Sequence, residues 1–265
     1  MSLNSYKALA VSAISLLTLA GSAQATLFSF ASDDDSNAFT FRGTASTGTE
    51  FMIRNARDPL QNLVTLKIDD NNLSGPTVAL DVGFLASFTV AYQGSVGFAG
   101  LQTHAYSVTG SFSFVDRTTG GALLTGTIGA GTPAGMTILG TGTTWGSAGS
   151  IFGSDSAANV AGAVQWTATP ALVTLAANQG FNLANYGIVG GQGSTLPDDF
   201  SFTLTALAAA TGGTVPINAQ TRLPSASWLS EGSFSGTALT GIPTPGAAGL
   251  MGLASLIALS RRRRS

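Results

Sequence analysis

The chain has one histidine, His104, which is the first candidate for acid–base or metal chemistry. A serine hydrolase would need a serine on a strained Gly-x-Ser-x-Gly turn to act with it, and no serine of this chain has glycine at those two positions. A zinc site is excluded because one histidine and no cysteine cannot supply the usual ligand set. His104 stands close to Tyr106 in a strand-like run, so the sequence favours a histidine on the face or edge of a strand.

Two pairs of adjacent aspartates, Asp69-Asp70 and Asp198-Asp199, are candidates for the acid and base of a glycosidase. Such carboxylates must face each other across a sugar, ~5 to 10 Å apart. Adjacent residues of a strand point to opposite faces, so each pair is interpreted as part of a turn. We therefore predict no catalytic residue and expect that the protein is not an enzyme.

The densest group of oxygen ligands is Asp33-Asp34-Asp35-Ser36-Asn37, in which Asp33, Asp35 and Asn37 match the first three positions of a calcium loop. Ala38 replaces the glycine expected next, and Thr44 stands where the closing acid of an EF-hand would fall. An EF-hand is thus excluded. Two alternatives stay open: a calcium site of another geometry, completed by distant acids, or a solvated turn between the first two strands.

Apolar residues that alternate with serine or threonine predict many short β-strands. The alternation covers residues 27–30, 39–41, 63–68, 88–92, 106–115, 200–205 and 228–236. Turn residues separate these segments, at 58–59, 71–72, 74–76, 119–121, 196–199 and 212–213. The pattern indicates an all-β domain, an antiparallel β-sandwich or jelly roll.

The stretch from Gly129 to Gly162 is rich in small residues and leaves three interpretations open. It forms weakly patterned strands of the same domain, long surface loops, or a parallel β-solenoid, which is disfavoured because no fixed period repeats. Helices are barely signalled outside the two ends of the chain.

The N-terminus is typical of a secretory signal peptide. Lys7 gives a positive start, residues 8–20 form an apolar helix, and Ala23-Gln24-Ala25 is a cleavage site of the A-x-A type. Residues 1–25 are therefore expected to be removed, so that the mature chain begins at Thr26.

The C-terminus combines a proline pair, an apolar segment and four arginines, Arg261, Arg262, Arg263 and Arg264. As a helix, the apolar segment of about 14 residues measures roughly 21 Å, short of the ~30 Å hydrocarbon core. The arginines favour the cytoplasmic side and so place the preceding domain outside. Pro243 and Pro245 interrupt regular structure and leave an accessible joint before the membrane. A plain C-terminal anchor is the alternative.

Residues 242–265, with Pro243-Thr244-Pro245, the apolar segment and the arginine block in that order, resemble the PEP-CTERM sorting signal. Thr244 stands where the motif has glutamate. The resemblance implies recognition and cleavage by an exosortase-type membrane enzyme near the Pro-x-Pro element, with release or re-attachment at the cell surface. It also implies a role in an exopolysaccharide-rich envelope or biofilm.

Between these ends, residues 26–241 carry six basic residues against all thirteen acidic ones, a net charge of six minus thirteen, or −7. An acidic domain repels nucleic acid and anionic lipid. Without cysteine, the domain has no disulfide framework and relies on its core. We expect one exported β-rich domain, signal peptidase and an exosortase-like enzyme as processing partners, and transient anchoring by the C-terminal helix.

Three functions are compatible with this sequence. The preferred one is a non-enzymatic protein of the cell surface or extracellular matrix, and the first alternative is a carbohydrate-binding module, possible with or without calcium. The third, a secreted hydrolase, lacks any constellation of catalytic residues. Buried tryptophans would favour the first and a row of exposed ones the second, with Trp145, Trp166 and Trp228 as stacking platforms for sugars.

Overall fold

The structure is a computed structural model. It describes residues 25–31, 40–58, 60–69, 76–129, 134–154, 164–193 and 198–238. Residues 1–24 of the predicted signal peptide, the predicted sorting signal with its apolar segment, and the candidate calcium ligands Asp33, Asp35 and Asn37 lie outside the described residues, whereas Ala25 of the predicted cleavage site is the first residue described. The expectations for these segments therefore stay predictions.

The described chain is dominated by twelve antiparallel strands, which confirms the all-β class. Their bounds are β1 Ala25–Ala31, β2 Phe41–Gly43, β3 Glu50–Asn55, β4 Leu63–Ile68, β5 Val78–Phe98, β6 Leu101–Val115, β7 Ala122–Ile128, β8 Ala134–Gly140, β9 Trp145–Ser154, β10 Val164–Ala168, β11 Asp198–Ala209 and β12 Trp228–Ala238. A helix, α1, covers Pro170–Asn178, and a 3-10 helix covers Leu183–Tyr186.

The strands form one sheet that closes on itself. Their order is β1-β4-β5-β3-β2-β12-β11-β9-β8-β6-β7-β10, and an additional pairing of β5 with β6 closes a ring of eight strands from β5 through β12 and back. Each of two long strands pairs along one edge with two shorter strands that follow one another. β5 pairs in this way with β4 and β3, and β12 pairs with β1 and β2.

The interior of the ring is filled by aromatic side chains. An aromatic cluster is formed by Phe30, Phe41, Phe84, Phe88, Phe112, Phe114, Trp166, Phe202 and Phe234, all buried. At its centre, the ring of Phe202 lies 4.9 Å from that of Phe112 and 4.8 Å from that of Phe234. Each such pair adds about 0.5–1.5 kcal/mol beyond the area it buries. The inner positions of the alternating strands therefore build one continuous core.

The sequence located most of these strands but missed several features. Residues 88–92 are only the middle of β5, which runs for 21 residues. Within Gly129–Gly162, the described residues include β8 and β9, so the interpretation as strands holds for that part. Asp198 and Asp199 were assigned to a turn, and this is wrong: they begin β11, because the ladder with β12 continues as far as Ala238.

Helix α1 was not predicted, although it has a local start signal. The side chain of Thr169 accepts a hydrogen bond from the backbone N–H of Leu172 at 3.3 Å, and Pro170 occupies the first turn. Both are typical of a helix N-terminus. Leu172 and Ala176 are buried, so one short face of the helix packs on the core. Within the described residues, no helix has the length and apolar character required to cross a membrane.

Candidate functional site: a buried histidine and the adjacent pocket

His104 lies on the inner face of β6, where it is fully buried. In the strand register it is opposite Ser95 of β5 on one side and Ile138 of β8 on the other. Because residues paired across a ladder point to the same face, Ser95 is brought against the imidazole. The histidine thus lies on a strand, as the sequence indicated, and faces the interior.

Both nitrogens of the imidazole are hydrogen-bonded. Nε2 lies 3.0 Å from the backbone oxygen of Thr141, and Nδ1 lies 2.7 Å from the Oγ of Ser95. A carbonyl oxygen can only accept, so we assign the proton to Nε2 and let Ser95 donate to Nδ1. The hydroxyl of Tyr92, 2.8 Å from Ser95 Oγ, then donates to the serine. This chain of hydrogen bonds satisfies a neutral imidazole.

The surroundings of His104 oppose a positive charge. Burial lowers the pKa of the imidazole below its ordinary value of 6.5, and the nearby charge of Arg222 lowers it further, while the carbonyl of Thr141 acts in the opposite direction. Since the neutral form predominates at pH 7, His104 contributes no cation to the site.

The depressed pKa predicts that the protein loses stability in mild acid. Below pH 6.5 the histidine of the unfolded chain takes up a proton that the folded chain resists, so the free energy of unfolding falls as the pH drops toward the folded pKa. We expect urea unfolding to show a larger loss between pH 7.5 and 5.5 for the wild type than for His104→Gln. Equal losses in the two proteins would contradict the assignment of a neutral, buried imidazole.

Arg222 is supplied by the long connection between β11 and β12. This loop packs against the turn that joins β8 to β9, with the N–H of Ile217 donating to the oxygen of Thr143 and the N–H of Trp145 donating to the oxygen of Val215, each at 2.9 Å. The backbone of Arg222 has a φ of 58°, in the left-handed region. A residue other than glycine is held there at a cost of about 1–3 kcal/mol.

A second hydrogen-bonded chain fixes that backbone. The indole Nε1 of Trp145 donates to the hydroxyl of Tyr106 at 2.9 Å, and this hydroxyl donates to the backbone oxygen of Arg222 at 2.6 Å. Burial raises the pKa of Tyr106, so the hydroxyl keeps its proton. The guanidinium of Arg222 in turn donates through Nη1 to the oxygen of Gly142. Arg222 is therefore anchored at both its backbone and its side chain.

The two chains meet at a polar pocket of about 370 Å³. Tyr92, Ser95, Gln102, Arg222 and the turn at 99–100 contribute to its lining. Among these described residues Arg222 is the charged group. The side-chain oxygen Oε1 of Gln102 is buried and has no hydrogen-bond partner. A buried acceptor left in this way costs about 1–3 kcal/mol unless something donates to it.

Ser95 and His104 have the spacing of a nucleophile and its base, with Thr141 in the place of the orienting group. A base must become an imidazolium when it takes the serine proton, and in a serine protease a carboxylate stabilises that cation. Here the corresponding group is a neutral carbonyl, and Arg222 further disfavours the cation. The geometry is therefore better suited to holding Tyr92 and Ser95 in place than to activating the serine.

No protein-family model matches the chain, and no curated protein or solved structure matches it either. The fold and the pocket are consequently interpreted from their own geometry.

The tryptophans that were candidate platforms for sugars are all inside the fold. Trp145, Trp166 and Trp228 are each 0% exposed, so none can stack on an external ligand. They instead pack on other rings, as Trp145 does on Phe51 and Tyr106 with centroids 5.6 and 5.8 Å apart. The version of carbohydrate binding that relies on these three residues is therefore wrong.

The aspartate pairs singled out in the sequence are only partly within the described residues. Asp69 lies directly after β4 and accepts a hydrogen bond from the hydroxyl of Thr77 at 3.2 Å, while Asp70 lies outside the described residues. No group of three histidine, aspartate or glutamate residues that could hold a metal occurs in the described ranges. The calcium hypothesis, which depends on Asp33, Asp35 and Asn37, stays a prediction.

The sequence pattern did not indicate Ser95, Gln102 and Arg222 as site residues. They come from β5, β6 and the β11–β12 loop, and the hydrogen bond that fixes Arg222 spans 116 positions of the chain. A serine in an alternating strand and an arginine in a polar loop have no local signature of a site.

Proposed function

We propose that this is an exported, non-enzymatic protein of the cell surface or extracellular matrix, processed by an exosortase-type enzyme and associated with exopolysaccharide. The observation that carries the proposal is the order of signals at the C-terminus: the proline pair, the apolar segment and the four arginines. The signal peptide at the other end supports the same route. A polar, sparsely charged domain between the two signals suits an exterior rich in carbohydrate.

We further propose that the closed sheet is flattened into two facing layers, as in a β-sandwich or jelly roll, with a helix at each end of the precursor. The aromatic cluster supports this arrangement, because its rings join strands from opposite parts of the sheet order. Phe88 of β5 lies 5.7 Å from Phe202 of β11, and Phe112 of β6 lies 5.4 Å from Phe234 of β12, and the two strands of each pair are four steps apart in the ring of eight.

Carbohydrate binding is the second candidate, and the polar pocket beside Arg222 is the observation that favours it. The pocket offers hydroxyl groups, a side-chain amide and a cation in a space large enough for one small ligand. Such sites commonly combine a concave shape with a few polar groups that fix the ligand. In this version the sugar contacts Tyr92 and Arg222 and needs none of the buried tryptophans.

The proposed processing is tested by removing the two prolines of the joint. In the native host, wild-type protein is expected at the cell surface or in the medium, whereas Pro243→Ala with Pro245→Ala is expected to accumulate in the cytoplasmic membrane, as cell fractionation and immunoblotting would report. The control is Pro76→Ala, since Pro76 is an exposed proline of the folded domain. If the double variant reaches the same location as the wild type, Pro-x-Pro is not a recognition element.

A further inference from the structure

The pocket beside Arg222 has the features of a site for a ligand that carries both a carboxylate and hydroxyl groups. We propose that it binds one acidic sugar residue, a uronic acid, from the surrounding polysaccharide. The inference rests on the proposed association with exopolysaccharide and names the class of sugar that would be recognised.

The first element of the proposed site is the positive charge of Arg222. Arg222 is half-buried, and no acidic side chain is among the described residues that line the pocket. A guanidinium has five N–H donors, and the contact with Gly142 uses Nη1. A planar carboxylate matches the remaining fork of donors and forms charge-assisted hydrogen bonds with it.

The backbone that carries the guanidinium of Arg222 is held in a strained conformation. Arg222 adopts a backbone conformation that favours glycine, and Tyr106 fixes it there through the 2.6 Å hydrogen bond to its carbonyl. Residues strained in this way and held by their surroundings cluster at binding sites. The strain is explained if the exact placement of the guanidinium matters for a ligand.

Gln102 supplies the second element, a side-chain amide beside the cation. Its Oε1 is buried without a partner, and its side chain passes so close to Gly97 that a Cβ there would lie 2.7 Å from Gln102 Cγ. A Cβ at Gly142 would lie 3.4 Å from Nη1 of Arg222 and 3.7 Å from Nε2 of Gln102. Nη1 of Arg222 and Nε2 of Gln102 therefore lie near one point, where one carboxylate can accept from both donors, while sugar hydroxyls donate to the oxygens of Tyr92 and Ser95.

The remaining groups select for a single sugar ring. The hydroxyls of Tyr92 and Ser95 line the same pocket, and the half-buried ring of Tyr92 adds an amphipathic surface. A volume of about 370 Å³ lies near the lower end of the range of ligand pockets, ~300–1,000 Å³. Among the described residues of the lining Arg222 carries the one positive charge, which suits a carboxylate better than a doubly charged phosphate.

The acidic character of the domain is compatible with this ligand. At physiological ionic strength, charges farther apart than about 8 Å are largely screened. The contact between Arg222 and the carboxylate is made within hydrogen-bonding distance, so it persists while the net charge of −7 for residues 26–241 weakens only the long-range attraction of a polyanion.

The test compares three probes by isothermal titration calorimetry with the full chain: glucuronic acid, glucose and acetate. We expect glucuronic acid to bind at least tenfold more tightly than glucose, which lacks the carboxylate, and than acetate, which lacks the hydroxyls. Arg222→Gly is expected to reduce the affinity for glucuronic acid at least tenfold. Glycine accepts the left-handed backbone, so this variant removes the cation without straining the fold.

Two further variants make the test specific to the pocket. Gln102→Leu removes the Nε2 donor beside Arg222 and is expected to weaken glucuronic acid several-fold without loss of thermal stability, because the buried Oε1 has no hydrogen bond to lose. Arg117→Ala removes an exposed arginine from the turn between β6 and β7 and is expected to leave binding unchanged. The proposal is overturned if none of the three probes binds, if glucose binds as well as glucuronic acid, or if Arg222→Gly binds like the wild type. The fractionation experiment remains independent, so failure of the pocket is distinguishable from failure of the export route.

Discussion

Replacing Phe202 by alanine is expected to lower the free energy of unfolding by about 3–5 kcal/mol. Phe202 is fully buried on β11 at the centre of the aromatic cluster. Its ring contacts those of Phe30, Phe41, Phe84, Phe88, Phe112, Phe200 and Phe234, with centroids between 4.8 and 6.5 Å. Alanine would leave a cavity that rings on six strands cannot fill without shifting together.

Urea unfolding of the purified protein measures this loss, and Phe152→Ala provides the matched control. Phe152 lies on the neighbouring strand β9 but is 43% exposed, so its truncation is expected to cost about 1 kcal/mol or less. If the two variants lost the same free energy, the aromatic cluster would not be the centre of the core.

The glycine at position 43 is expected to be nearly as sensitive. Gly43 of β2 is the register partner of Trp228 on β12, and a Cβ at this position would lie 2.0 Å from both Cε2 and Nε1 of the indole. Gly43→Ala therefore forces Trp228 or one of the two strands to move. Overpacking of this kind typically costs about 1–3 kcal/mol, measured again by urea unfolding.

Gly48→Ala is the control for this substitution. Gly48 is exposed, and nothing lies within 4 Å of the position its Cβ would take. Its replacement is expected to change stability by no more than about 0.5 kcal/mol. A Gly43→Ala variant as stable as Gly48→Ala would contradict the close contact between β2 and the indole of Trp228.

The sequence predicts strands well where one face of the strand is buried. In β4, for example, Val64, Leu66 and Ile68 face the core, and the alternation gave the bounds of the strand correctly. It underestimated β5, because Asp81, Gly83 and Gly94 interrupt the apolar pattern while the ladders with β4 and β6 continue through them. Helix α1 was missed because its nine residues are too few for a clear 3.6-residue period.

The pocket could not be predicted in the same way. Its polar groups come from strands β5 and β6 and the β11–β12 loop, so the site depends on which strands pair and in which register. The pairing of Ser95 with His104 supplies the donor to Nδ1 of the imidazole, and the packing of the loop on Thr143 and Gly142 brings Arg222 to the pocket. A one-residue shift in the pairing of β5 with β6 would separate Ser95 from His104.

The intact mass of the protein recovered from the cell surface tests the proposed export and processing most directly. The two sequence signals predict a mature chain that begins at Thr26 and lacks Arg261, Arg262, Arg263 and Arg264. Mass spectrometry should therefore give a species shortened at both ends, with cleavage near Pro243 and Pro245. A surface protein that retains the four arginines would contradict exosortase-type processing and reduce the C-terminal segment to a simple membrane anchor.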